Sequence, residues 1–422
     1  MPENKFKKII NINWSETDVL SSLKFFSRWL GIAGIIGFLS GSASAFFLWA
    51  LDWATQWREA HVWIIWLLPL GGLVSGLIYH YIGPEVEKGN NLILEEINTP
   101  KETIPFKMAP LVLASTLISH FFGGSAGREG TAVQMGGAIA DQFTGLFKLK
   151  QTDRQLLLIT GISAGFASVF GTPLAGAIFA LEVMIIGKLR HEAILPSVLA
   201  AVIADYTCRF WHIGHTRYSI PLVPEMKPEL FLWTLLAGVI FGVCSLLFVR
   251  TTDFFKRIFK SKISFPPLRP VAGGVIIATA VYLMGTTRYI GLGIPVIVDS
   301  FYLELPSYDF VIKILLTAVT LGAGFKGGEV TPLFFIGAVL GNALAFFIPL
   351  PLALLAGMGF VAVFCGATNT PIASIFLGME LFGAECGVFV AIACLMAYLF
   401  SGKAGIYSSQ ITGNSKNGLV DF

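Results

Sequence analysis

The sequence is poor in charge. Lysine, arginine, aspartate and glutamate supply 55 of its 422 residues (29 basic, 26 acidic), or 13%, about half of the ~25% usual in soluble domains. A soluble fold of this length would need more polar surface to stay dispersed, which excludes a water-soluble enzyme and a disordered chain. Cysteine is sparse as well. The five (Cys208, Cys244, Cys365, Cys386, Cys394) are odd in number, contain no CxxC pair and lie in or beside apolar runs. That excludes a disulfide scaffold and reads as buried thiols rather than metal or redox chemistry. The net charge of +3 is small and its basic residues are scattered, so no nucleic-acid footprint is present. The six histidines show no metal-ligand pairing beyond the weak His212-x-x-His215, and no cofactor is predicted. Residues 1–28 are polar and mixed in charge, without the charged, apolar and small-residue regions of a signal peptide. They read as a cytoplasmic arm.

What the chain has is apolar surface: 55% hydrophobic residues, with 36 Phe and 45 Gly. It is predicted to be an all-α integral membrane protein. One span needs ~20 residues, so the length fits a single polytopic bundle in the lipid bilayer. Uncharged stretches over 29–51, 230–249 and 270–287 match one bilayer thickness, and further spans are expected near 62–82, 109–122, 131–147 and 311–324. Two stretches resist that reading. Residues 155–181 are broken by Gly171-Thr172-Pro173, and 330–379 by Pro349, Pro351 and Thr370-Pro371. Broken backbone at membrane depth survives only inside protein or beside a water-filled cavity, which predicts short re-entrant helices around a permeation site. Basic clusters at Lys148, Lys150 and Arg154, at Lys188 and Arg190, and at Lys256, Arg257, Lys260 and Lys262 would lie in the cytoplasm with the N-terminus.

Two unlike motifs recur in the same order. Gly127-Arg128-Glu129-Gly130-Thr131 has a counterpart in Gly327-Gly328-Glu329-Val330-Thr331-Pro332. The run from Thr172-Pro173 to Glu182 has one of identical spacing from Thr370-Pro371 to Glu380, at an offset of 198 residues. This is the signature of a duplicated transporter-like unit with a binding site where the halves meet. The pattern leaves open whether the copies are parallel or inverted. The predicted division is an arm at 1–28, a first repeat at 29–215, a second at 216–412 and a short cytoplasmic tail at 413–422. Too few residues follow Thr412 for paired nucleotide-binding modules.

The motifs also suggest chemistry. Glycines let the backbone turn and approach a ligand closely. Glu129 falls in the first turn of the following helix, where free N–H groups and the positive dipole end favour anions. A carboxylate inside a membrane is functional by default; here it could occupy an anion site as a tethered competitor, or merely pair with Arg128. Glu329 leads into a second helix start, where Thr331 adds a hydroxyl and Pro332 suits the first turn. Gly89-Asn90-Asn91 opens a third. Three such starts aimed at one centre would hold an anion by partial charges, through backbone around Gly127, Arg128, Gly130 and Val330, without a cation that binds too tightly for passage. Glu182 and Glu380 close equivalent helices and are expected to fix helix ends.

These motifs resemble the CLC family of chloride channels and proton-coupled anion antiporters over roughly residues 30–412. The resemblance implies a homodimer with one pore per subunit, each subunit built of two inverted repeats of tilted, broken and partly re-entrant helices. It implies that Glu129 is the gating glutamate and that Tyr407 offers its hydroxyl to the central anion. Asn90-Asn91, Thr131 and the Glu329-Val330-Thr331 sequence depart from the usual chloride pattern. Val183 stands where chloride antiporters carry an internal proton-transfer glutamate. All four departures are similar to the bacterial fluoride-exporting branch. Fluoride is small and strongly hydrated, and the Asn90 amide and the Thr331 and Tyr407 hydroxyls are compact donors suited to replace its water. The expectation is a fluoride/proton antiporter of the cell (inner) membrane, with Glu129 as gate and proton carrier and Glu329 as an assisting acid. A chloride channel or chloride/proton antiporter of the same fold is the alternative. An intramembrane hydrolase using Ser119 or Ser125 with His120 lacks an orienting acid and a nucleophile motif.

Overall fold

The structure, a computed structural model, describes residues 16–413. The first part of the expected arm and most of the expected tail lie outside the described residues. The first half contains α1 (Glu16–Ala60), α2 (Leu68–Tyr81), α3 (Asn90–Asn98), α4 (Met108–Phe122), α5 (Glu129–Leu146), α6 (Gln151–Phe170), α7 (Pro173–Glu182) and α8 (Ile194–Phe210). The second contains α9 (Pro228–Lys262), α10 (Leu268–Met284), α11 (Ile294–Asp299), α12 (Asp309–Gly322), α13 (Val330–Leu344), α14 (Leu352–Thr368), α15 (Pro371–Phe382) and α16 (Gly387–Phe400). One parallel pair joins β1 (Ile185–Ile186) to β2 (Ile411–Thr412). This is an all-α, multi-pass membrane fold. Four described helical stretches, 19–60, 62–81, 191–210 and 228–262, are long and apolar enough to cross a bilayer.

Local sequence explains the breaks. α6 ends at Gly171 with φ +71°, and α14 ends at the equivalent Asn369 with φ +61°. Both are left-handed caps that only glycine or asparagine adopts readily. Each is followed by a threonine and then by a proline in the first turn of the next helix. Proline there lacks only an N–H that would be unpaired anyway.

The two halves meet about a pseudo-two-fold axis. Gly127 and Gly328 form an antiparallel bridge, N–H to carbonyl in both directions, at 2.6 and 2.7 Å. Glu182, ending α7, accepts the N–H groups of Ile372 and Ala373 at the start of α15 at 3.1 and 2.8 Å. Glu380, ending α15, accepts those of Leu174 and Ala175 at the start of α7 at 3.0 and 2.7 Å. Each half-helix therefore has its orphan N–H groups satisfied by its twin. Because equivalent helices run antiparallel, the repeats are inverted. The same device packs the long pairs: a Cβ on Gly136 would fall 2.2 Å from the Gly161 carbonyl oxygen, and one on Gly337 would fall 2.0 Å from that of Gly359. α5 thus lies backbone to backbone on α6, as α13 does on α14, by the small-residue contact usual between membrane helices.

Three sequence expectations change. α1 begins at Glu16, so residues 16–28 of the predicted arm are helix. At about 1.5 Å per residue its 45 residues exceed a ~30 Å hydrocarbon core roughly twofold, and it must tilt or protrude. The expected span near 62–82 is present, but it opens as a 3₁₀ turn, Val62–Leu67, before continuing as α2. Helices α8 and α16 were not singled out by the charge pattern, because Asp205 and Arg209 interrupt the first and the second starts only a few residues after Glu380 and Glu385.

Candidate functional site

The Gly127–Gly328 bridge brings the heads of α5 and α13 together. Glu129, 1% exposed, does not turn onto its own helix alone. Its carboxylate accepts the Thr331 backbone N–H at 3.1 Å and the Thr331 hydroxyl in a short contact, both at the N-terminus of α13. It also accepts the Arg128 N–H at 3.0 Å. The Arg128 guanidinium stands off, with Nε 3.8 Å from Oε1, at the outer limit of ion pairing. Glu129 therefore occupies a helix N-terminus of the opposite repeat, where a free anion would sit. A permanent Arg128–Glu129 pair is not what holds it. The expected cation-free centre does have this one guanidinium at its edge.

The other predicted donors converge on the same region. Asn90 opens α3, and a Cβ on Gly130 would lie 2.9 Å from its Nδ2. Its Oδ1 is buried without a hydrogen bond. Tyr407 is buried, lies edge-on to Phe179 at 6.3 Å, and is close enough to Glu129 and Glu329 to feel both charges. Gly130 and Val330 sit in the first turns of α5 and α13, where helix geometry leaves N–H groups unpaired. Gly127 is a correction: its N–H is engaged by the Gly328 carbonyl, so it shapes the loop and cannot donate to an anion.

In the fold Glu329 is the counterpart of Arg128 and not, as the motif alignment had it, of Glu129, because each follows one of the bridged glycines Gly127 and Gly328 as the N-cap of its helix. It is the N-cap of α13 yet makes no side-chain cap hydrogen bond, and the charges of Lys256 and Asp253 on α9 act on it. Val183, which replaces the internal glutamate, is buried, and its carbonyl accepts the Gln410 amide at 2.8 Å.

Sequence reasoning missed several supports. The Thr131 hydroxyl, where proline is usual, pairs with the Thr116 hydroxyl at 2.7 Å and ties α5 to α4. Lys313 is fully buried in α12 and donates to the Tyr289 and Gly291 carbonyls at 3.0 and 2.9 Å. Gly291 in turn donates to the Gly124 carbonyl at 3.0 Å, bracing the loop that carries Glu129. A lone lysine inside the apolar run 311–324 was the available signal. Ser119 and Ser125 hydroxyls donate to the carbonyls of Ser115 and Tyr289, and His120 faces the Gly127 carbonyl. No serine–histidine dyad forms. Among the described residues no group of three metal-ligating side chains exists.

Two cavities lie beside this centre, and the smaller touches Glu129. A wide vestibule of about 880 Å³ is bordered by Arg58, Arg128 and Arg288 together with Asp52, Glu59 and Asp299. A narrow one of about 20 Å³ touches Glu129, Thr331, His215, Thr216 and Tyr218. Arg128, Thr216 and Ile294 border both. Beyond Glu129, Phe334 stacks on Phe360 at 3.9 Å and Phe166 on Phe179 at 4.4 Å, forming an aromatic wall toward Tyr407.

Comparison with known proteins matches this architecture. The family model described as voltage gated chloride channel matches residues 71–402. A chloride/fluoride channel protein of Pseudomonas syringae pv. tomato is 53% identical over 404 residues, covering 94% of this chain and 89% of that protein. An H(+)/Cl(-) exchange transporter of Vibrio vulnificus is 27% identical, covering 83% and 81%. Among solved structures, a CLC-type fluoride/proton antiporter superposes with a TM-score of 0.89 at 36% identity, covering 92% of this chain and 98% of that one. A slow cyanobacterial Cl-/H+ antiporter gives 0.78 at 21%, covering 89% and 94%, a likeness of fold. With inverted repeats, crossed half-helices and these relatives, the chain belongs to the voltage-gated chloride channel family, the CLC proteins.

Proposed function

We propose that this protein is a fluoride/proton antiporter that exports fluoride across the cell (inner) membrane. The observation that carries the reading is the Glu129 carboxylate seated on the Thr331 N–H and hydroxyl at the head of the opposite repeat. A fluoride ion arriving there competes for the same donors and displaces the side chain. Once displaced, the carboxylate loses the N–H groups that stabilise its charge and takes up a proton, which couples the two ions through one residue. Asn90 and Tyr407 complete the anion's shell with compact polar groups that have no hydrogen bond within the protein to break. The solved fluoride/proton antiporter at 36% identity supports fluoride, and the relative at 53% identity is named for both chloride and fluoride.

In this reading Glu129 is gate and proton carrier, and Glu329 relays protons on the side of Lys256 and Asp253. Asn90, Gly130, Arg128, Val330, Thr331 and Tyr407 form the anion path. The basic clusters following α5, α7 and within α9 orient those ends, and the N-terminus, toward the cytoplasm. The repeats divide at 215/216, in the loop 211–227, and two copies pair as a homodimer with one pore each. The test is ion efflux from proteoliposomes loaded with fluoride or chloride, with and without a pH gradient. Fluoride efflux accompanied by proton uptake is the expected result. Chloride efflux at an equal rate would favour the chloride antiporter, and fluoride efflux without protons would favour a channel.

A further inference from the structure

His215 lies in the loop 211–227, and its ring borders the same small cavity as Glu129. The space it fills is built for it: a Cβ on Gly171 would fall 2.5 Å from its Cδ2, so the left-handed glycine that ends α6 also makes room for the imidazole. Both ring nitrogens are buried and neither makes a well-aligned hydrogen bond, with the Val169 backbone the nearest hydrogen-bonding group on the ring. The Asp205 carboxylate on α8 is 3.8 Å from Nε2 and is itself paired with Arg209 at 2.7 Å. A buried imidazole so weakly satisfied is costly as pure packing and suits a group that exchanges protons. The cavity of about 20 Å³ has room for about one water, with His215, Thr216, Tyr218, Arg128 and Glu129 as polar neighbours.

We propose that His215 is the proton relay between the wide vestibule and Glu129. This rests on the antiport reading above. A proton from the vestibule binds one ring nitrogen, and the imidazolium releases the proton on its other nitrogen to the water in the small cavity. That water passes a proton to the displaced Glu129 carboxylate, and the ring is neutral again. The charged groups facing the ring set the balance: Arg128 and Glu129 from α5, Asp205 and Arg209 from α8, with the Tyr218 hydroxyl on its own loop. Burial first and the Arg128 charge second hold the loop imidazole below its ordinary pKa, against the pull of Asp205. The neutral ring is therefore the favoured form near pH 7.

The test uses the full chain in proteoliposomes, with fluoride and proton fluxes recorded together through the histidine range, about pH 5 to 8, and fluoride binding followed by calorimetry. His215→Ala and His215→Gln are expected to lose coupled flux by about tenfold or more while fluoride binding stays at the wild-type level. Added imidazole should restore flux to His215→Ala and leave Glu129→Gln unchanged. Asp205→Asn should move the midpoint of the pH profile to lower pH, because the carboxylate that favours the imidazolium is gone. Wild-type flux and pH profile in both His215 variants would overturn the relay and leave antiport standing, as would a loss that imidazole cannot restore. Uncoupled fluoride flux in the wild-type protein would overturn both readings.

Discussion

Replacing Glu129 with glutamine removes the tethered charge while keeping the side chain's shape, and its effect can be worked from three contacts. The carboxylate accepts the Arg128 N–H, the Thr331 N–H and the Thr331 hydroxyl. A hydrogen bond to a charged acceptor is worth ~1.5–3 kcal/mol net, against ~0.5–1.5 for a neutral one. The amide therefore holds its seat about 3 kcal/mol less tightly, and about 1.4 kcal/mol is a tenfold change in an equilibrium constant. Fluoride competing for the same donors should bind about a hundredfold more tightly to Glu129→Gln, by the same arithmetic. Calorimetric titration of the purified variant measures this, and liposome fluxes show whether proton uptake has ceased. Unchanged fluoride affinity together with persisting proton uptake would refute the competition.

The remaining predictions concern the surroundings. Tyr407→Phe should weaken fluoride binding by roughly tenfold, the value of about one hydrogen bond to a charged acceptor, with little change in thermal stability because the hydroxyl has no hydrogen bond within the protein to lose. Glu329→Gln should retain fluoride binding, as its side chain caps nothing, and reduce proton uptake in the flux assay. Glu182→Gln and Glu380→Gln should each lower stability by about 1–2 kcal/mol, the range for a lost helix cap, read as a lower unfolding temperature in detergent. Gly337→Ala should greatly reduce the yield of folded protein in size-exclusion chromatography. Its Cβ would fall 2.0 Å from the Gly359 carbonyl, and two packed helices would have to separate.

The sequence by itself determined that the chain lives in a membrane, that it is duplicated, and where its helices break. These follow from local causes: too little charge for water, prolines in first turns at 173 and 371, and motifs repeated at a constant offset. It also singled out Glu129, since an acid between glycines at membrane depth is costly without a purpose. Tertiary structure alone decided the rest. The motif pattern left inversion of the repeats open and only the family resemblance implied it, because a periodic pattern carries no direction across the bilayer; the meeting of Glu182 and Glu380 with each other's half-helices made it visible. Gly127 looked like a donor until its N–H met the Gly328 carbonyl. His215 offered only a weak two-histidine spacing in sequence. Its place beside Glu129 depends on the room left at Gly171, a contact between residues 44 positions apart that only the folded backbone could create.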